Sequence, residues 1–167
     1  RGNKYDLGVF EKNICIGPFF PETMSFYPAQ MEEELLAKII ECAGYACDAL
    51  SIDNGVAHIE FRIKDGVRYL LDMGLRPGGA YTIRAVNEIY GLDYVRLIVD
   101  IFLNITIEQP KVINEIGIVY GGIVFRETGY IESVNGINKL EVIPQIKEVC
   151  QLDEIGDYVV APPYSAQ

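Results

Sequence analysis

The sequence has a single histidine, and its four cysteines follow no paired metal-ligand spacing. Because zinc sites usually combine several histidine or cysteine ligands, this scarcity argues against a histidine-based zinc site. We interpret Cys15, Cys42, Cys47 and Cys150 as free, largely buried thiols. Thiols of this kind are typical of a cytosolic protein, so a cytoplasmic location is expected.

Positive charge is scarce too, with 14 Lys and Arg residues against 24 Asp and Glu and a net charge of −10. Such a balance argues against a general nucleic-acid or anionic-membrane surface. It does not exclude a small anionic ligand, because local arginines and metal ions decide that binding. No apolar run reaches the roughly 18 residues of a membrane span, and the start does not resemble a signal peptide.

The first residue is Arg1 rather than Met, and the chain begins in what has the pattern of a strand already under way. We therefore expect a piece of a longer protein. At 167 residues, half of them apolar, the chain is long enough to bury a core. Apolar residues recur at helical spacing in 29–50, 81–90 and 92–103, and the last of these helices is apolar over much of its circumference and should be well buried. Asp93 is placed to cap it.

The stretch from His58 to Gly79 organises the chain as two predicted strands joined by a turn at Asp65–Gly66. The apolar residues of the two strands share one side of the sheet only if the turn has an odd length, such as three residues with a left-handed Gly66. These residues are Ile59, Phe61 and Ile63 on the first strand and Val67, Tyr69, Leu71 and Met73 on the second. The second face then carries His58, Glu60, Arg62, Arg68 and Asp72, with Arg76 just beyond the strand end.

Two carboxylates on one face of a hairpin, near an arginine and a glycine loop, could hold hard divalent cations and phosphate oxygens. The alternative is an ordinary solvated strand face with salt bridges, which is the usual state of an antiparallel strand. Ile59 opposite Asp72 across the strands would favour a structural α+β domain with a chance motif, because the two carboxylates would then lie on different faces.

The order of motifs resembles the carboxyl-terminal lobe of ATP-grasp enzymes, in the branch with biotin carboxylase, carbamoyl-phosphate synthase and amino-acid ligases. In that family one strand carries His-x-Glu-Phe and the next ends Glu-x-Asn-x-Arg-x-Gly-Gly. Here the corresponding residues are His58–Phe61 and Asp72–Gly79. Further similar segments are Phe26–Ala29, Gly91–Leu97, Gly129–Ile137 and Gly156–Val159, so the resemblance spans roughly Phe26 to Pro163.

The resemblance implies an α+β fold, with an antiparallel sheet that has helices packed on one face. It also implies a partial ATP-grasp lobe over residues 1–108 and a small β-rich subdomain over 109–167. Glu60 and Asp72 match the family's metal-binding carboxylates, through which Mg²⁺ would hold the ATP phosphates. Arg76 matches the arginine that binds the phosphoryl group and the acyl phosphate, and it is the candidate catalytic residue. Gly78, Gly79 and His58 match residues on the substrate side of the site, with no specific role assigned to the histidine.

Two ligands depart from the family pattern. Gly74 replaces a metal-binding Asn, and Asp72 is one methylene shorter than the usual Glu. The nucleotide-gripping lysines and the glycine-rich flap belong to the family's preceding part, which this sequence does not include, so the piece alone is not expected to catalyse.

Three interpretations stay open at this point. The resemblance favours the carboxyl-terminal part of an ATP-dependent carboxylate–amine ligase, with ATP, Mg²⁺ and amino-acid-like substrates, and it leaves a homodimer open. A degenerate, non-catalytic ATP-grasp-like binding domain, or a carbamoyl-phosphate-synthase-like ATP-binding protein, is the second. A structural α+β domain with a chance motif is the third.

Overall fold

The structure, a computed structural model, describes residues 3–15 and 17–164. Within these residues strands and helices alternate without a regular repeat. The elements are β1 (Glu11–Lys12), β2 (Met24–Tyr27), α1 (Glu33–Ala49), β3 (His58–Lys64), β4 (Val67–Gly74), α2 (Thr82–Tyr90), α3 (Tyr94–Phe102), β5 (Ile118–Gly121), β6 (Gly129–Tyr130), α4 (Ile137–Glu141) and β7 (Tyr158–Val159). The predicted α+β class is confirmed.

The strands form three small sheets, with the orders β1-β2-β5, β3-β4 and β6-β7. The β1/β2, β3/β4 and β6/β7 pairs are antiparallel. The chain divides into two compact units, one from the described residues of 1–12 and 24–120 and the other from those of 13–23 and 121–167. A compact unit is not by itself an independently folding domain, so the division into 1–108 and 109–167 stays a prediction.

The core of the first unit forms around α2. Ala85, Val86, Ile89 and Tyr90 are buried there together with Tyr94 of α3, and Ile89 has no exposed surface. The pKa of the Tyr90 hydroxyl is raised, mainly by burial and to a lesser extent by the nearby Tyr27 and Asp6. The hydroxyl therefore stays neutral at ordinary pH. Because α2 begins at Thr82, three residues after Gly79, this core anchors the glycine loop at its carboxyl-terminal end.

The connection between α2 and α3 is short and well capped. Gly91 ends α2 in the left-handed conformation, with φ of 58°, as helix C-termini commonly do. The Asp93 carboxylate accepts a hydrogen bond from the Arg96 backbone N–H at 3.0 Å, which confirms the predicted cap of α3.

The predicted burial of α3 is wrong. Tyr94 is its buried residue, whereas Val95, Val99 and Phe102 are 53%, 47% and 61% exposed. The helix is apolar over a wider arc than the side that packs on α2, so part of its apolar surface faces outward.

The cysteine prediction is half right. All four cysteines are free, but Cys15, Cys42 and Cys47 are half-buried and Cys150 is exposed, so the expected burial is wrong. Among the described residues, no helix combines the length and the apolar character that crossing a membrane requires.

Candidate active site

The β3–β4 hairpin places Glu60 directly opposite Asp72, with Ile59 opposite Met73 and His58 opposite Gly74. Residues that face each other across an antiparallel pair project from the same side of the sheet. The predicted common face for the two carboxylates is therefore confirmed, and the arrangement with Ile59 opposite Asp72 is not found.

The odd-length turn that was predicted to set this register is wrong. Lys64 pairs with Val67, so the turn holds two residues, Asp65 and Gly66, both with positive φ (51° and 74°). Positive φ at both central residues is typical of the tight hairpin turn that matches strand twist. The register shifts instead between Glu60 and Phe61, where Leu71 has no partner and forms a β-bulge. If the pairing continued without this shift, Leu71 would lie opposite Glu60, and Asp72 would project from the other side of the sheet.

The bulge also changes which side chains share the polar face near the turn. Arg68, predicted on the face of Glu60, lies opposite Ile63. Val67 and Tyr69, predicted on the apolar face, lie opposite Lys64 and Arg62. Arg68 donates from Nη1 to the Gly66 carbonyl at 3.0 Å, while its buried Nε has no hydrogen-bond partner among the described residues.

The Glu60 carboxylate is held by two side chains that donate to the same oxygen. Lys12 Nζ on β1 lies 2.9 Å from Glu60 Oε1, and His58 Nε2 lies 3.0 Å from that atom. Burial opposes the charged form and is the largest single influence on the Glu60 pKa. Hydrogen bonds and charge from Lys12 and then His58 outweigh it together, so the pKa is lowered below its ordinary range.

Arg76 lies over the position where the family pattern has an asparagine. A Cβ atom on Gly74 would lie 3.1 Å from Arg76 Nε and 3.2 Å from its Cγ. Because Gly74 is two residues from Asp72 on a regular part of the strand, that Cβ direction belongs to the face of the two carboxylates. The Arg76 side chain therefore runs along the side of β4 that carries Asp72, and its predicted role beside the carboxylates stays a prediction. Arg76 Nη1 also donates to the Pro77 carbonyl at 3.0 Å.

The glycine loop packs against His58 at one glycine and is open at the other. A Cβ on Gly78 would lie 2.8 Å from Thr82 Cγ2 and 3.0 Å from His58 Nδ1, whereas a Cβ on Gly79 would meet nothing within 4 Å. His58 thus lies between the Glu60 carboxylate and the loop. The Gly79 carbonyl accepts from the Thr82 backbone N–H at 3.2 Å, which joins the loop to the start of α2.

Sequence analysis missed Lys12 and a group of aromatic side chains behind the loop. Thr82 Oγ1 and the Tyr120 hydroxyl are 2.9 Å apart, and the Tyr120 ring lies 6.2 Å from that of Tyr81. The Arg84 guanidinium carbon lies 5.4 Å from the centre of the Tyr81 ring. The nearness of Lys12 to Glu60, 48 residues away, depends on how β1 packs, and no local pattern carries that signal.

Glu60 and Asp72 are the residues of this face that could hold a Mg²⁺ ion. Mg²⁺ is commonly held by one or two carboxylates together with substrate phosphates, and Glu60 with Asp72 can supply that pair. A third protein ligand is missing at Gly74, and no group of three or more His, Cys, Asp or Glu side chains among the described residues could hold a metal ion.

The chain is similar to curated ligases over part of its length. It is 29% identical over 101 residues to the alanine–anticapsin ligase of Bacillus subtilis (strain 168). This matched stretch covers 60% of this chain and 21% of that enzyme. The alanine–anticapsin ligase of Bacillus amyloliquefaciens is 26% identical over the same length. The chain thus spans about a fifth of the curated relatives it matches. No family model matches the sequence.

Two solved structures share the fold. The L-amino acid ligase from Bacillus licheniformis superposes with a TM-score of 0.79 at 27% identity, over 95% of this chain and 40% of that one. The phosphoribosylglycinamide synthetase from Anaerococcus prevotii gives a TM-score of 0.69 at 15% identity, over 93% and 42%, and shows the fold alone. These matches confirm the resemblance that the sequence motifs predicted.

Proposed function

We propose that this chain, which belongs to the ATP-grasp superfamily, is the carboxyl-terminal part of an ATP-dependent ligase that joins a carboxylate to an amine. The observation that carries the proposal is Glu60 opposite Asp72 on a hairpin face that Arg76 overlies. The similarity to alanine–anticapsin ligases and to an L-amino acid ligase supports amino-acid-like substrates.

In the proposed reaction a carboxylate oxygen of the first substrate attacks the γ-phosphorus of ATP, and ADP leaves. An amine then attacks the carbonyl carbon of the acyl phosphate, phosphate leaves, and the amine loses a proton as the amide forms. Phosphoryl transfer depends mainly on alignment and charge stabilisation, so the protein needs cations and hydrogen-bond donors around the transferred group.

Each predicted site residue has a place in this scheme. Arg76 binds the transferred phosphoryl group, and Glu60 and Asp72 would hold a Mg²⁺ ion, which would supply positive charge to the phosphate oxygens. Gly78 and Gly79 match the loop whose backbone N–H groups would face the substrate carboxylate, and His58 lies between that loop and Glu60. The nucleotide-gripping part would come from the rest of the longer protein.

The test uses the full-length protein that contains this chain. Pairs of amino acids are screened for ADP and phosphate release with ATP and Mg²⁺, and the ligated product is identified by mass spectrometry. We expect Arg76→Ala to reduce turnover by about 100-fold or more, as loss of a charge-stabilising donor does elsewhere. The matched control is Arg96→Ala, because Arg96 pairs with Asp100 on exposed α3 and should leave turnover unchanged. Full turnover in the Arg76 variant contradicts the proposed role.

A second candidate is a non-catalytic nucleotide-binding domain. Gly74, which brings no side-chain ligand and lies under Arg76, favours it. This candidate predicts that the full-length protein binds ATP but releases no ADP with any carboxylate and amine pair, and measurable ligation excludes it.

The remaining proposals concern setting and assembly. We propose small-molecule carboxylates and amines as the partners, without nucleic acid or membrane, and a cytoplasmic location consistent with four free thiols. A homodimer stays a prediction that light scattering on the full-length protein tests.

A further inference from the structure

The surroundings of Glu60 and Gly74 bear on how many metal ions the site takes. In a site with two divalent cations close together, carboxylate oxygens and other ligands must serve both ions. Here the carboxylates available are Glu60 and Asp72, and the third position of the family pattern has no oxygen donor. The number of oxygen atoms that remain able to coordinate a metal therefore decides how many divalent cations bind.

One of the two carboxylate oxygens of Glu60 is already occupied by hydrogen bonds. Oε1 accepts from Lys12 at 2.9 Å and from His58 at 3.0 Å, and Lys12 and Glu60 are half-buried, with 34% and 28% of their side chains exposed. An ammonium group hydrogen-bonded to a carboxylate opposes the approach of another cation to the same oxygen, especially where water screens little.

The place of the third ligand is filled as well. The Arg76 side chain runs over Gly74, with Nε and Cγ 3.1 and 3.2 Å from where a Cβ would be. Lys12 contacts Glu60, and Arg76 lies over Gly74 on the face that carries Glu60 and Asp72, so this face has two side-chain cations and two side-chain anions. The cluster is balanced in charge before any metal binds, so it attracts divalent cations less strongly than two uncompensated carboxylates do.

We propose that the site takes a single divalent cation with each nucleotide, and that Lys12 provides beside Glu60 the positive charge that a second cation would bring. The proposal rests on the proposed nucleotide site. Lys12 acts as a positioning residue, because it touches Glu60 rather than the reacting atoms.

The test counts metal ions directly. Mn²⁺ is titrated into the full-length protein with a non-hydrolysable ATP analogue, and free Mn²⁺ is measured from its electron paramagnetic resonance signal. We expect one Mn²⁺ bound per chain. Two equally tight Mn²⁺ ions, or none, overturn the proposal.

Variants separate the contribution of Lys12. Lys12→Met should tighten Mn²⁺ binding by about tenfold, because the competing ammonium is gone. The matched control is Lys38→Met, which removes the same charge from an exposed pair with Glu34 on α1 and should leave Mn²⁺ affinity unchanged. Equal affinities in the two variants overturn the role of Lys12. Gly74→Asn should still bind one Mn²⁺, whereas Lys12→Met with Gly74→Asn should bind two, and a count of two in Gly74→Asn alone contradicts the proposal.

The two proposals fail in different ways. One bound Mn²⁺ without ADP release from any substrate pair contradicts the ligase and leaves the metal count standing. Ligation accompanied by two bound Mn²⁺ ions supports the ligase and contradicts the single-cation proposal.

Discussion

At the scale of single residues, His58 connects the two parts of the candidate site. Its Nε2 lies 3.0 Å from Glu60 Oε1, and its Nδ1 would lie 3.0 Å from a Cβ atom on Gly78. The ring thus spans the gap between the carboxylate face of the hairpin and the glycine loop. This contact gives a physical role to a residue for which the family pattern supplied none.

Gly78→Ala should destabilise the loop by about 1–3 kcal/mol, because the new methyl group would lie 2.8 Å from Thr82 Cγ2. Thr82 cannot easily turn away, since it is β-branched at the start of α2 and its hydroxyl bonds Tyr120. Thermal unfolding measures the effect. Gly79→Ala is the control, because its methyl group meets nothing within 4 Å. Equal unfolding midpoints for the two variants would contradict the packing described.

The lowered pKa of Glu60 gives a second prediction. Between its ordinary value of 4.5 and the lower folded-state pKa, the folded state binds fewer protons than the unfolded state. The stabilising contribution of the carboxylate is therefore fully present above pH 4.5 and is lost as the pH falls through the folded-state pKa. Urea unfolding of the wild type and of Glu60→Gln at several pH values should show a stability difference that shrinks in this acid range. A difference that stays constant with pH would contradict the contacts with Lys12 and His58.

At the scale of secondary structure, sequence patterns located most elements but not their ends. The helix expected over 29–50 begins at Glu33, and those expected over 81–90 and 92–103 are Thr82–Tyr90 and Tyr94–Phe102. The short helix Ile137–Glu141 was missed, because one turn and a half carries too few residues for a periodic signal.

The hairpin shows why the pairing of Glu60 with Asp72 was predictable, whereas the bulge that produces it was not. The demand that apolar residues share a side correctly placed Glu60 with Asp72. An odd turn and a bulge shift the register by the same one residue, so alternation alone does not distinguish them. The side chains between turn and bulge, Arg68 and Tyr69 among them, were therefore assigned to the wrong faces.

The two-residue turn predicts a cost for replacing its glycine. Gly66→Ala should destabilise the chain by about 1–2 kcal/mol, because φ is 74° and an L-residue pays for the left-handed region. The matched control is Gly122→Ala, since both positions have open space around them and Gly122 has no positive φ. Chemical denaturation measures both. Similar losses in the two variants would show that the left-handed backbone does not matter.

At the scale of the whole molecule, the chain exposes apolar side chains that a core normally covers. On β4 and just beyond it, Leu70, Leu71 and Leu75 are 51%, 58% and 59% exposed, next to a sheet of two strands. A two-stranded hairpin is marginal in water unless other elements cover it. The curated relatives are about five times longer than the matched stretch, since it covers 21% of their length. The sequence could not predict this exposure, because periodicity identifies an apolar face without identifying what covers it.

The isolated 167-residue chain should therefore bind the dye ANS with several-fold higher fluorescence than an equal molar amount of the proposed full-length protein, where we expect further residues to cover these surfaces. Replacing Leu70 and Leu71 by serine should reduce the fluorescence of the isolated chain. Equal dye fluorescence from the two proteins, with monomers confirmed by light scattering, would contradict this expectation.

Because Leu71 has no partner across the sheet, β4 should tolerate the loss of a residue before Asp72 better than the loss of one after it. Removing Leu71 itself would bring Asp72 into the place opposite Glu60 by ordinary pairing, so that the two acids still meet. Removing Leu70 instead would leave Leu71 free to move up into the vacated place, with the same outcome. A residue lost between Asp72 and Arg76 would change the spacing that places Arg76 over Gly74 on the face of both acids. Related sequences of differing strand length should therefore gain or lose their residue on the turn side of the second acid.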